Sequence, residues 1–493
     1  MRIVRAKMTE QKVTRTFPPG ESKGLDPETF KQLLGEAIRS YVSNLKDRGV
    51  QTHRRTVYRV HKGGYRSFDI DFPYYLRQWQ PEHAKGLLPR AEMRAFFDYL
   101  WDMGELQKTL TGPDPQRVNW ELLVFYEVVH DTAARVMEDL AIDETTDTGH
   151  ITLCRIPDSS LEAALGEVYS RTIEGKTSYI AKCPLGWIKS RAGASWALDS
   201  DISLTIPTEQ ERARYLSRHH NKMIWHDTMS GLIQNDVALL EISGSAEVAQ
   251  LRKGRPPKTG TDLIEEHIAD AIDVVKWALS VEKAHAPPLV EATITYQDVL
   301  GGPLAIVGFG AFRRQEAHQG IVYDLSKMDM EKVSSLVKKA RRASQELTDL
   351  KESFWYWGRA CLAALERDVL VESVIGLENL LVANRGESRY RFGLHGAALL
   401  CGPDSDKHSV AKELKRLYDK RSSAVHGSSQ DRIRESREAM KYLSSAIFAV
   451  IECWERGIIV PGDRVALQIE QRILADCSLR RDQTQEGLAL TIA

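Results

Sequence analysis

The stretch LYDKRSSAVHG, Leu417 to Gly427, sets an arginine and a histidine five residues apart at the end of a predicted helix. Upstream, HSVAKELKR continues the same helical pattern. At about 100° per residue, Leu414, Leu417 and Tyr418 fall within roughly 80° of Val410, and Val425 lies near ~60°. Arg421 lands near ~20°, in the middle of that apolar stripe. A guanidinium is always charged, and burying it without a partner is costly. The position therefore calls for a carboxylate, a protein–protein interface, or a cleft that receives an anion.

A carboxylate stands ready in the preceding helix. Val371, Val374, Ile375, Leu381 and Val382 define one stripe of DVLVESVIGLENLLVANRG, and Glu378 sits inside it. Two opposite charges on two apolar stripes invite pairing, and the pair alone is equally consistent with a register-fixing ion pair. His426 lies about 140° around the helix from Arg421 and roughly 7.5 Å farther along it. Gly427 is a natural helix end, so His426 sits at the mouth of a helix–helix turn, with Ser428 or Ser429 as the next cap. A histidine there also suits a simple charge–dipole placement.

Around this pair the C-terminal part reads as helical throughout. Leu336, Ala340, Ala343, Leu347, Leu350, Phe354, Trp357, Cys361 and Ala364 recur in steps of four and three, which predicts one long helix bent near Gly358. Helices are further expected in YRFGLHGAALL and in SSQDRIRESREAMKYLSSAIFAVIECWERG. Residues 326–456 are thus expected to form an all-α bundle, followed by a tail over 457–493.

The rest of the chain is less regular. PETFKQLLGEAIRSYVSNLKDR, from Pro27, predicts an amphipathic helix, and RTVYRVHKGGYRSFDIDF a hairpin around Gly63 and Gly64. The hairpin's Arg54, Arg55, Tyr58, Arg59, Tyr65 and Arg66 suit RNA contact, although a hairpin with one aromatic and one solvated face explains them as well. Residues 1–149 form a mostly helical region, bounded by the polar loop Asp143 to Gly149. Residues 150–325 mix strand-like runs (ITLCRI, DISLTI, VALLEIS, VEATITY, LAIVGFGAF) with the helix TDLIEEHIADAIDVVKWALS. The fold class is α+β and multidomain.

Three features here are better read plainly. Gly308 to Gly310 lacks the third glycine of a phosphate loop and fits a turn or bulge. His219, His220, His226 and Asp227 carry no metal-site spacing. RKGRPPKTG, Arg252 to Gly260, fits a solvated connector.

Composition bounds the function. Lys+Arg 67 against Asp+Glu 68 leaves a formal charge of -1, so no global field advertises nucleic-acid or membrane binding, and any RNA surface must be local. The six scattered cysteines contain no C-x-x-C pair, which suits a reducing compartment. No apolar run approaches the ~20 residues of a membrane helix, and the basic N-terminus lacks an apolar core, so the expected location is the cytoplasm.

The R-x-x-x-x-H element of Arg421 and His426 comes with Leu417-Tyr418 before it, Ser422 after the arginine and a Val-His-Gly ending. Together with the upstream LENLL helix, it resembles the Apea-like HEPN domain over roughly residues 335–456. The resemblance implies a bundle that dimerises so that two R-x-x-x-x-H elements face one cleft. It also implies a metal-independent endoribonuclease, free of cofactors, in which the RNA 2′-hydroxyl attacks its own phosphate to give a 2′,3′-cyclic product. Arg421 would stabilise phosphate charge and His426 would act as general acid or base, with Glu378, Ser422 and Tyr418 supporting them. Such proteins serve prokaryotic antiphage defence by abortive infection. Residues 1–325 would then sense a phage-derived trigger or restrain the toxin. The alternative within the resemblance is a non-catalytic HEPN module that dimerises and binds RNA or nucleotide.

Overall fold

The computed structural model describes residues 26–47, 52–61, 64–73, 86–101, 121, 125–130, 132–133, 136, 158–173, 176–186, 188–213, 237–247, 260–283, 292–296, 306–309, 323–363, 365–383, 386–402, 405–425 and 433–475. The chain is mostly helical, with an antiparallel sheet in the middle and a helical C-terminal region. It divides into two compact units. One unit comprises Met1–Gln51, Tyr74–Met137 and Leu153–Gly175. It is built on α1 (Pro27–Asp47), α2 (Ala91–Trp101) and α3 (Asp158–Ile173). Asp26 starts α1 by accepting from the Thr29 amide at 3.1 Å. The predicted amphipathic face of α1 buries Phe30, Leu34, Ile38 and Tyr41, and Phe30 meets Phe96 and Tyr169 edge-on.

The second unit comprises Thr52–Pro73, Glu138–Thr152 and Lys176–Ala493. Its hairpin pairs β1 (Thr52–His61) with β2 (Gly64–Pro73), and His61 opposite Gly64 closes it around the expected turn. Next come β3 (Lys176–Gly186), β4 (Ile188–Lys189), β5 (Ser195–Ala197), β6 (Ile202–Thr205), β7 (Val237–Glu247), β8 (Ala292–Tyr296), β9 (Ile306–Phe309) and β10 (Tyr323–Asp324). Six of these form an antiparallel sheet in the order β5-β6-β7-β3-β8-β9. Gly308 lies within β9 and pairs with Thr293, so this glycine belongs to a strand and not to a turn. Tyr179, Ala181, Cys183 and Leu185 alternate inward along β3 as Ala238, Leu240 and Ile242 do along β7, while Ile180 points out. Helix α4 (Gly260–Lys283) packs on β7. Burial pushes the thiol of Cys183 up, as it does that of Cys361. The residues Cys154, Cys477, His219, His220, His226 and Asp227, and the segment 143–149, lie outside the described residues, as does nearly all of 252–260.

The C-terminal helices are α5 (Met330–Glu346), α6 (Thr348–Leu362), α7 (Glu366–Leu381), α8 (Ser388–Leu400), α9 (Lys407–Val425), α10 (Ile433–Glu455) and α11 (Val465–Leu474). The predicted seam faces inward, with Leu336 through Cys361 buried at each described seam position. The single long helix is corrected: it breaks at Leu347, which leaves the helical region at φ -113°, ψ 100°. The break lies at Leu347 rather than Gly358, and both halves border α4 and α10. α5 lies against α4 and α10, and α6 lies chiefly against α7. Gly358 instead makes room for the Asp273 carboxylate, which would stand 2.2 Å from a Cβ there. Beyond the bundle, α11 packs on α7 and α8, burying Val465 and Ile469. Among the described residues no helix is long and apolar enough to cross a membrane.

Sheet and helical bundle share one hydrophobic core, in which Trp277 of α4 meets Phe354 of α6 edge-on at 5.3 Å. A polar joint closes its edge. Arg341 of α5 donates from Nη1 to Asp199 and Asp201 and from Nη2 to Asp201 Oδ2 at 2.9 Å. His267 of α4 stands 3.2 Å from Asp201 and takes the Tyr179 hydroxyl on its other nitrogen at 2.5 Å. Tyr179 reaches it because Gly244 lies opposite: a Cβ there would come within 2.3 Å of Tyr179 Oη. Burial pushes the Tyr179 phenol up to about 12.

Desolvation raises the Asp201 carboxyl, but the hydrogen bonds and charge of Arg341 more than offset it, so its pKa lies below the usual range. A depressed carboxylate contributes stability that is present above the unfolded pKa of ~3.9 and is lost as pH falls through the lower folded value. Asp201→Asn should therefore flatten the acid limb of the unfolding curve relative to wild type, read by circular dichroism. Arg341→Ala leaves two carboxylates without their cation and should cost about 2 kcal/mol in urea unfolding; an unchanged midpoint would show that the joint contributes nothing.

Candidate functional site

Helix α9 carries the candidate site. Its start is set by Asp406, whose Oδ1 accepts from the amides of His408 and Ser409, both at 3.0 Å. Its inward face buries Leu414, Leu417 and Ala424, and Tyr418 lies against Phe392 of α8 at 5.4 Å. Arg421 projects from the same face. Its Nη2 is 3.5 Å from Glu378 Oε2 on α7, with side chains 28% and 22% exposed. Glu378 and Arg421 therefore meet, but in a loose and partly wetted pair, not in a deeply buried one.

Tyr418 completes the group by hydrogen bonding to Glu378, with Ser388 at the start of α8 as a further partner. Burial pushes the Glu378 carboxyl above the usual range, against the pull of the Arg421 charge and the Tyr418 hydrogen bond. Burial also raises the Tyr418 phenol, and the Glu378 charge adds to the effect. The phenol is a proton donor at neutral pH, so it orients Glu378 without competing for Arg421. The Arg421 Nε is buried and has no hydrogen-bond partner among the described residues. Glu378 engages Arg421 through Nη2, and the unpartnered Nε is closed off from solvent.

The other expected site residues fall differently. Ser422 is exposed, about 100° around α9 from Arg421, and does not face Glu378. His426 lies outside the described residues, immediately after Val425, the last residue of α9. Val425 is 56% exposed although it lies within roughly 40° of Arg421 on the helical wheel. The apolar stripe thus runs past its own core.

Two features escape a reading of the sequence alone. His395 of α8 is buried and donates from Nδ1 to the Leu381 carbonyl at 2.7 Å; desolvation lowers its pKa, so it is a neutral histidine holding the end of α7. Beside Tyr418 opens a pocket of ≈ 590 Å³ lined by Glu387, Ser388, Arg389, Tyr390 and Tyr418. Among the described residues no group of three or more His, Cys, Asp or Glu stands together in a way that could hold a metal.

Because the Glu378–Arg421 pair is partly solvated, Glu378→Ala should cost about 1 kcal/mol, well below the loss from a dry ion pair. A double-mutant cycle with Arg421→Met should return a coupling of roughly 0.5–1 kcal/mol, and additive losses would show that the two do not interact. Glu378 has a raised folded pKa, so its ionisation weakens the fold as pH rises through that value. Glu378→Gln should remove this loss of stability above the usual glutamate pKa, read by urea unfolding at successive pH values. Compared with family models, curated proteins and solved structures, the chain matches none.

Proposed function

We propose that this chain is a metal-independent endoribonuclease of the Apea-like HEPN type, acting in prokaryotic antiphage defence, with residues 1–325 restraining or triggering it. The observation that carries the reading is Arg421. A guanidinium on an apolar face, oriented by Glu378 and Tyr418, suits a phosphate better than it suits the core. Its neighbour in sequence, His426, has the intrinsic pKa for proton transfer to and from ribose and leaving group. The 2′-hydroxyl loses its proton as it attacks the adjacent phosphorus, the P–O5′ bond breaks, and the 5′-oxygen takes up a proton. The product strand ends in a 2′,3′-cyclic phosphate.

The exposed Val425 supports a dimer of this chain. An apolar stripe that continues beyond its own core is completed when a second copy covers it, and twofold symmetry would bring both Arg421 residues to one cleft.

Full-length protein should cleave single-stranded RNA in EDTA and leave 2′,3′-cyclic ends. His426→Ala should lower the rate by about 10²–10⁴-fold with unchanged circular dichroism. A folded His426→Ala protein that cuts as fast as wild type would falsify the assignment, and RNA binding without cleavage by wild type would favour a non-catalytic module. Val425→Glu should convert a dimer to a monomer in light scattering and abolish cleavage although Arg421 and His426 are untouched.

A further inference from the structure

The pocket next to Tyr418 lies one helical turn from Arg421 along α9, and its chemistry differs from that of the arginine. Tyr390 on its rim is 55% exposed, and the ring face away from Lys415 is the one a base would stack on. Lys415 of α9 places its ammonium over the Tyr390 ring at 4.8 Å, which fixes the ring's attitude. Arg389 is held in a two-point bridge to Asp419, at 2.6 and 2.7 Å. The rim is therefore close to electrically balanced, with Arg389 and Lys415 set against Asp419 and Glu387. A balanced rim with an exposed ring does not select a free phosphate. It suits a flat, neutral, polar-edged ring.

The walls supply the matching polar edge. Glu387 brings a carboxylate to the rim of this open depression, and the Tyr418 and Ser388 hydroxyls border it while engaged with each other and with Glu378. Tyr418 belongs to both places, lining the pocket while hydrogen bonding to the Glu378 that faces Arg421. Through Tyr418 the pocket therefore borders the Glu378–Arg421 pair.

We infer that this pocket is a base-binding subsite, which seats one unpaired nucleobase of an RNA strand on the Tyr390 ring next to the phosphate at Arg421. The inference rests on the ribonuclease reading for the identity of the strand, and it adds where sequence preference is set. Single-stranded RNA is recognised by splayed bases stacked on aromatic rings and read at their edges, and stacking on one ring tolerates several bases. Cleavage should accordingly show a base preference at one position near the cut, graded instead of absolute.

The test uses full-length His426→Ala protein, which leaves RNA uncut, and a short single-stranded RNA carrying 2-aminopurine at successive positions. Stacking quenches this fluorophore, so one position should be quenched on binding. Tyr390→Ala in the same background should abolish the quench and weaken binding roughly tenfold, while Tyr390→Phe should retain both. Tyr390 is exposed, so its replacement leaves the fold intact, checked by thermal melting. In the cleaving protein, Tyr390→Ala should raise KM and flatten the base preference with kcat little changed. Quenching and affinity left unchanged by Tyr390→Ala would overturn the subsite. A Tyr390-dependent quench in a protein whose wild type cuts no RNA would support the subsite and overturn the ribonuclease reading alone.

Discussion

The Arg341 guanidinium is the interaction on which the arrangement of the larger unit turns. It sits on the first helix of the C-terminal region and is bound by two aspartates from the turn before β6, so one cation ties the sheet's edge to the bundle. Apolar packing supplies most of the driving force across this boundary, but it is non-directional. The Arg341 fork fixes orientation, and His267 and Tyr179 extend the constraint to α4 and to the central strand. Lys351 adds a second tie to α4, at 2.7 Å from Glu266 and 3.1 Å from Asp270.

Arg421 shows the opposite use of the same side chain. Arg341 binds two carboxylates through both of its terminal nitrogens, whereas Arg421 faces one carboxylate at longer range. The first arrangement is a tight, structural one. The second is a looser pair, and the proposed ribonuclease role draws on that difference.

Most of the helical half is legible in the sequence from its continuous apolar faces, although α11 falls in the stretch read as a tail. The seam from Leu336 to Cys361 is a face in both, yet periodicity records which side is inward and says nothing of a single residue leaving the helix, as Leu347 does. β3, the strand at the centre of the sheet, is not legible. Its sequence KTSYIAKCPLG carries polar residues and Pro184, which argue against a central strand. The fold accommodates Pro184 where β8 no longer pairs with β3, the shared ladder running only from Tyr179 to Lys182. At the candidate site, helical angles alone place Glu378 and Arg421 together. The pocket is invisible to such angles because Tyr390 and Tyr418 lie on different helices, and only the packing of α8 on α9 brings them to one place.

Leu347 has a mechanical meaning as well. It is the last cap of α5 and the first of α6, so a single residue, with its two soft dihedral angles, separates a helix anchored on the sheet from one anchored in the bundle. Both helices bury their seams, and Leu347 is itself only 3% exposed, so the junction has no slack to absorb a tilt. α5 is thereby joined through one buried residue to α6, which packs on α7, the helix that bears Glu378.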